Sequence, residues 1–226
     1  VTPDNDFPLT AFVSRNDPAS RAIGYGKAAM VFHMIRTRIG DQAFFGALRE
    51  LARQRMYRSA SWSDLLRAFT QASGKDLAQI RPLIERTGGA RLALNGTRSR
   101  QVGAGWQVTG TLAQSPPYFA QEVPLRLESA AGALTRLVPV PAQAATSFDL
   151  AASGQPLRLL LDPDAETFRV LSPGEIPATV NSIKGSGNLV GVTTGNCRVD
   201  RGSFRAFLAS LSQGKAAVVD ETDLKA

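Results

Sequence analysis

The chain has 226 residues, 43% of them hydrophobic and 20% charged. That balance excludes wholesale disorder, and the length fits two or three domains. No apolar run approaches the roughly 20 residues a membrane-spanning helix needs, and the single Cys197 excludes an internal disulfide.

Val1-Thr2-Pro3-Asp4 carries neither an initiator Met nor a signal-peptide pattern, and it reads as a position inside a longer polypeptide. The first strong element is a helix from Lys27 to Ile39. Ala28, Val31, Phe32, Ile35 and Ile39 form one apolar stripe, which Met30 and Met34 widen, so the helix is expected to be buried. Gly40 ends it, and Asp41 is placed to cap a second helix carrying Phe44, Phe45, Leu48, Leu51 and Ala52. Ser61-Trp62-Ser63-Asp64 has the form of a capping box and opens a third helix with Leu65, Leu66 and Phe69 inward, closed by Gly74. Asp76-x-x-Gln79 starts a fourth helix, with Leu77, Ile80 and Ile84, running to Gly88-Gly89. Pro82 falls inside it and is expected to kink or shorten it.

From Arg91 the period turns strand-like. Runs at Leu92–Leu94, Trp106–Leu112, Val123–Leu127, Leu134–Val140, Thr146–Leu150 and Leu157–Leu161 are separated by turn-forming residues. This spacing predicts a small antiparallel sandwich of six or seven strands. A connector, Leu171-Ser172-Pro173-Gly174-Glu175-Ile176-Pro177, follows. Beyond it, Leu189–Thr193 and Ala216–Asp220 read as strands around a helix at Ser203–Leu211, the start of an α/β segment too short to complete a sheet. Gly185-Ser186-Gly187 precedes the first of these strands. A dinucleotide-binding fingerprint needs its glycines between strand and helix, so that reading fails. The expected class is α+β multidomain: an all-α subdomain over 1–90, a sandwich over 91–171, and a linker with an incomplete α/β segment over 172–226.

The net charge of +7 is uneven: residues 1–98 hold 15 Lys/Arg against 8 Asp/Glu, and residues 99–226 hold 11 of each. A basic helical segment can meet nucleic acid or an anionic surface. Here the arginines Arg36, Arg38, Arg49, Arg53, Arg55 and Arg58 alternate with core positions, the pattern of a solvated helix face, and no nucleic-acid partner is expected.

Tyr25 is the residue that points to chemistry. It sits in Ile23-Gly24-Tyr25-Gly26-Lys27-Ala28-Ala29-Met30, where the apolar helix begins, and a phenol between glycines at a helix entrance can face a cleft. Tyr25-Gly26-Lys27-Ala28-Ala29 resembles the Tyr-x-Lys-Gly-Ala segment of the aminopeptidase N family of zinc metallopeptidases, the gluzincins. The resemblance continues through Met30–Ile35, Ile39–Phe44, Ser61–Leu65 and Gly74–Leu77 to Arg86-Thr87-Gly88-Gly89-Ala90-Arg91-Leu92, covering about residues 7–94. Ala28 stands where the family usually has Gly, Leu83 where an aromatic is common, and Ala90 where Pro is frequent.

The resemblance implies the C-terminal part of a peptidase catalytic domain followed by a sandwich. In that family a zinc-bound water attacks the scissile carbonyl, with a Glu as general base. The matched tyrosine donates a hydrogen bond to the oxyanion, a role a phenol suits because it keeps its proton at neutral pH. Only Tyr25 carries over. The chain has no His-Glu-x-x-His pair and a single histidine, so the zinc of the intact parent, its ligands and the base are expected in sequence upstream, and this chain alone is expected to be inactive. Peptide would be the substrate. An exported or cell-envelope location is implied only by the family.

Plainer roles stand beside these. Tyr25 can be a buried structural tyrosine. Lys27 can pair with an upstream acid or be solvated. His33 reads as a core or helix–helix hydrogen-bonding histidine, and Cys197 as a buried or inert thiol. Asp162, Asp164 and Glu166 could hold calcium, but turn chemistry beside Pro163 explains them more simply. Two functional classes remain open at this point: part of a zinc aminopeptidase, or a peptidase-like scaffold that has lost its metal site.

Overall fold

A computed structural model describes residues 1–176, 179, 183–184, 186–212 and 216–224. The chain divides into two compact units, Val1–Val170 and Leu171–Ala226.

In the first unit the helical run begins well before Lys27. Helix α1 (Pro18–Arg21), a π-helical turn (Ala22–Lys27) and helix α2 (Ala28–Ile39) follow without a break. Asp17 is the N-cap: its Oδ1 accepts from the amides of Ala19 (2.8 Å) and Ser20 (2.9 Å), and Pro18 occupies the first helical position. Two glycines near Tyr25 lower helix propensity by about 1 kcal/mol each, which is why the sequence alone suggests a later start. The cap and the tertiary contacts of the turn outweigh them.

Gly40, at φ +84°, breaks the chain between α2 and α3 (Asp41–Arg55). Gly40 itself holds the N-cap position. Asp41, expected there, is the first helical residue, and its carboxylate instead accepts from Arg36 Nε (2.7 Å) and an Arg36 terminal nitrogen (2.8 Å). Helix α4 (Trp62–Ser73) opens on the expected capping box. The Ser61 amide donates to Asp64 Oδ2 (3.0 Å) and the Asp64 amide to Ser61 Oγ (3.2 Å). Held first by the Ser61 amide, the Asp64 carboxyl is pulled down to about 2.

The fourth helix differs from expectation. Asp76 Oδ1 accepts from the Ala78 amide (2.9 Å), and a 3₁₀ turn (Ala78–Ile80) leads into a short α5 (Arg81–Glu85). Pro82 therefore lies in the first turn of a new helix, where its missing N–H leaves no bond unmade; the α-helix is shortened to five residues, as expected, and not kinked. Leu83, where the family resemblance anticipates an aromatic, is fully buried. Phe44 and Phe69 stack at 5.0 Å, and Phe32 reaches both Phe69 (6.3 Å) and Trp62 (5.5 Å), so aromatic rings tie α2, α3 and α4 together.

Six strands follow: β1 (Arg91–Val102), β2 (Gly105–Ser115), β3 (Gln121–Ser129), β4 (Gly132–Val140), β5 (Ala145–Ala152) and β6 (Pro156–Leu161). They form two antiparallel three-stranded sheets, ordered β1-β2-β5 and β4-β3-β6. Alternation places Val108 and Leu112 of β2, and Val123, Leu125 and Leu127 of β3, in one buried cluster with Val31, Ile35 and Leu83 of the helices. The helices and the sheets thus share a core.

The stretch from Asp162 to Val170 returns from the sandwich to the helices. The Val170 amide donates to Ala90 O (2.8 Å), the Phe168 amide approaches Met34 Sδ at 3.3 Å, and the buried Arg169 Nε donates to Asp162 Oδ2 (3.1 Å). Burial pushes the Asp162 carboxyl above its ordinary range, while Arg169 and the amides of Glu166 and Thr167 pull against it.

In the second unit the described residues form a parallel pair, β7 (Leu189–Thr193) and β8 (Ala216–Asp220), with helix α6 (Arg201–Leu211) between them in sequence. A Cβ at Gly191 would meet Leu208 Cδ1 at 2.2 Å and Phe204 Cε1 at 2.8 Å, so the missing side chain gives these two residues of α6 room against the strand. The Asp200 carboxylate caps α6 by accepting from the Ser203 amide (2.7 Å). Pro177 of the connector and Gly185 of the rejected glycine motif lie outside the described residues.

Replacing Arg169 with Met leaves the Asp162 carboxylate buried without its cation and is expected to lower stability by about 3–5 kcal/mol in chemical denaturation. Arg158→Ala, which breaks the exposed pair with Glu128 (3.0 Å), is expected to leave the denaturation midpoint nearly unchanged.

Candidate functional site

Tyr25 lies inside the π-helical turn, not at a helix entrance. Its ring is 59% exposed and lines an open groove of about 980 Å³, shared with Arg15, Asp17, Arg21 and Gly26. The Phe12 ring stands edge-on to it, centroids 5.9 Å apart and planes at 82°. Gly24 makes this possible: a Cβ there would fall 2.1–2.4 Å from three Phe12 ring carbons. The first glycine of the Gly-Tyr-Gly triplet therefore admits the ring that supports the tyrosine. Gly26 has open space where a Cβ would go, so its side of the turn faces the groove.

Lys27 is buried rather than solvated. It is 4% exposed, and its Nζ donates to the carbonyls of Arg86 (2.8 Å) and Gly88 (3.1 Å) while lying 5.3 Å from the Phe168 ring centroid. Asp6 Oδ2 accepts from the Gly88 amide at 2.6 Å, closing the same knot from the other side. Burial pulls the Lys27 ammonium below its ordinary range, opposed by the Asp6 charge. Residues two apart on a helix face opposite ways. With Lys27 drawn inward, Tyr25 is turned outward.

His33 does not bridge helices. Its Nε2 is 3.0 Å from Glu166 Oε2 in the returning stretch, which also accepts from Thr37 Oγ1 (3.2 Å), and both side chains are partly exposed. The three carboxylates after β6 diverge: Asp162 holds Arg169 and two amides, Asp164 pairs with Arg126, and Glu166 with His33. Turn and ion-pair chemistry therefore accounts for each of them. Cys197 is exposed rather than buried. Among the described residues no three of His, Cys, Asp and Glu come together as a metal site. None of Lys27, His33, Asp162, Asp164 or Glu166 lines the groove that Tyr25 faces. Sequence reasoning missed Phe12 and Asp17. The Asp17-Pro18 pair is a readable helix start, whereas nothing local marks Phe12.

No protein-family model matches the chain. Over 59 residues, 26% of its length, it is 37% identical to aminopeptidase N of Lactococcus lactis subsp. lactis, and those residues cover 7% of that protein. It also resembles the crystal structure of Legionella pneumophila aminopeptidase A in complex with aspartic acid, with a TM-score of 0.52 and 16% identity. That likeness covers 77% of this chain and 21% of the other, and at this identity it is a likeness of fold. The sequence match relates a 59-residue stretch of the chain to an aminopeptidase, and the structural match relates its fold; the chain spans only a small part of either protein. No described helix is long and apolar enough to cross a membrane.

The Lys27 knot has a stability signature. The folded state sheds the Lys27 proton at lower pH than the unfolded chain, so this group's contribution rises with pH between its lowered value and the ordinary 10.5. Lys27→Met leaves two carbonyls unpaired and is expected to cost about 2–4 kcal/mol at neutral pH. Denaturation midpoints followed upward in pH toward 10.5 should show a relative rise in the wild type that the variant lacks.

Proposed function

We propose that this chain is the C-terminal part of the catalytic domain, with its following sandwich, of a zinc-dependent aminopeptidase that removes N-terminal residues from peptides. Tyr25 is its oxyanion donor. The observation that carries this reading is the placement of Tyr25: an exposed phenol in a π-helical turn, lining the groove. Single π turns inside helices occur often at functional positions. The resemblance of residues 7–94 to the aminopeptidase N family supplies the role.

Attack on a peptide carbonyl places negative charge on its oxygen. A neutral phenol donates a hydrogen bond to that oxygen without bringing a charge of its own into the groove. Phe12 edge-on and Lys27 anchored behind hold the ring, so the donor needs little reorganisation as charge develops.

The described residues of this chain do not by themselves fit a zinc site. His33 is engaged by Glu166, and no ligand cluster exists among the described residues. In this reading the zinc ligands, the general base and the acids that bind the substrate's amino terminus belong to other sequence of the parent polypeptide, which docks against the Tyr25 face.

The test is the intact parent protein, supplied with zinc, acting on an aminoacyl chromogenic anilide. Tyr25→Phe is expected to lower kcat by about 10²–10³, with stability changed by no more than about 0.5 kcal/mol, as for an exposed position. Unchanged turnover in the variant would remove Tyr25 from the chemistry.

A further inference from the structure

The groove beside Tyr25 carries two arginines that the reading above leaves without a role. Arg15 lies just before the N-cap, and Arg21 lies four residues before Tyr25, so Arg21 and Tyr25 sit on neighbouring turns of one helix face. Both arginines are exposed and line the groove. Neither has a carboxylate partner among the described residues, a state they share with Arg49 and Arg58, whereas Arg36, Arg38, Arg55, Arg67 and Arg81 are each paired; what sets Arg15 and Arg21 apart is their place in the groove.

Asp17, the acid among the described residues that line the groove, offsets only one of the two charges. Asp17 spends its Oδ1 on the amides of Ala19 and Ser20, and those amide bonds hold its carboxyl below the ordinary range. The groove therefore offers two guanidinium groups against one engaged carboxylate, at the positive end of a continuous helical run from Pro18 to Ile39. Planar guanidinium groups suit carboxylates, which they hold through two parallel hydrogen bonds.

We propose that Arg21, assisted by Arg15, binds a carboxylate of the peptide lying across Tyr25 and so selects substrates that carry one. This rests on the aminopeptidase reading for the identity of the ligand as a peptide. The shared chemistry is a carboxylate, either the C-terminus of a short peptide or an acidic side chain. The placement of Arg21 one turn from the donor phenol makes it a specificity residue rather than a catalytic one.

The experiment measures binding by calorimetry on the intact protein after chelation of its divalent metal, so that the probes are bound and not cleaved. Three probes are compared: the tripeptide Ala-Ala-Ala with a free C-terminus, its C-terminal amide, and the amide of Glu-Ala-Ala. Arg21→Ala is expected to weaken binding of at least one carboxylate-bearing probe on the order of tenfold and to leave the Ala-Ala-Ala amide unchanged. Whichever acid-bearing probe responds identifies the source of the carboxylate. Arg21→Lys should restore part of the loss, and Arg58→Ala, which removes the same charge from an exposed position outside the groove, should have no effect. Equal affinity of the wild type for all three probes, or an equal loss for Arg58→Ala, overturns the proposal. A wild type that binds the acid-bearing probes through Arg21 but cleaves no aminoacyl anilide would overturn the aminopeptidase reading while leaving the carboxylate site in place.

Discussion

The geometry of the groove depends on one buried ammonium. Lys27 reaches from the π turn to the carbonyls of Arg86 and Gly88, and Asp6 holds the Gly88 amide from the N-terminal side. Three segments distant in sequence meet at that turn. A buried lysine without acceptors would give up its proton or leave the core, so these carbonyls are what keep it inside. Its inward direction fixes the outward direction of Tyr25, two residues earlier. The chemistry proposed for the phenol is thus set by a contact on the far side of the helix, which no inspection of the groove alone would reveal.

The rest of the first unit makes that helix a rigid support. Phe168 packs over Lys27 and Gly89, the Phe168 amide meets Met34 Sδ, and Glu166 takes His33 and Thr37. All belong to the stretch that returns from β6, anchored by the buried Asp162–Arg169 pair and by the Val170 amide on Ala90 O. The sandwich acts on the site indirectly, by clamping α2 from outside. Catalytic or binding groups on such supported elements keep their geometry better than groups on loops.

Much of this was legible where the physics is local. The Ser61–Asp64 capping box, the Gly40 and Gly74 stops and the alternation in β2, β3 and β5 depend on neighbours a few residues apart, and the sequence-predicted strands fall within the observed ones. The parallel β7–β8 pair with its intervening helix followed the same periodicities. What failed depended on partners elsewhere. Asp41 reads as a cap, yet Arg36 claims its carboxylate. Pro82 shortens its helix as read, but the 3₁₀ turn ahead of it leaves no pattern distinct from a helix. Lys27 and His33 took partners 59 and 133 residues away, Arg86 and Glu166, and no spacing rule reaches that far.

Tyr25 shows both sides of this limit. Its glycine neighbours suggested a helix entrance, and propensity alone supports that reading. The chain instead carries the helix through them, because Asp17 and Pro18 start it early and the Lys27 knot rewards its continuation. The glycines are then explained by contact rather than by termination. Gly24 lets the Phe12 ring approach, and Gly26 leaves the groove side open. Of the two glycines that weaken the helix by propensity, Gly24 is tolerated because a side chain there would displace the Phe12 ring that supports the phenol. The π turn is where the competing demands of an anchored lysine and an exposed tyrosine are met within six residues.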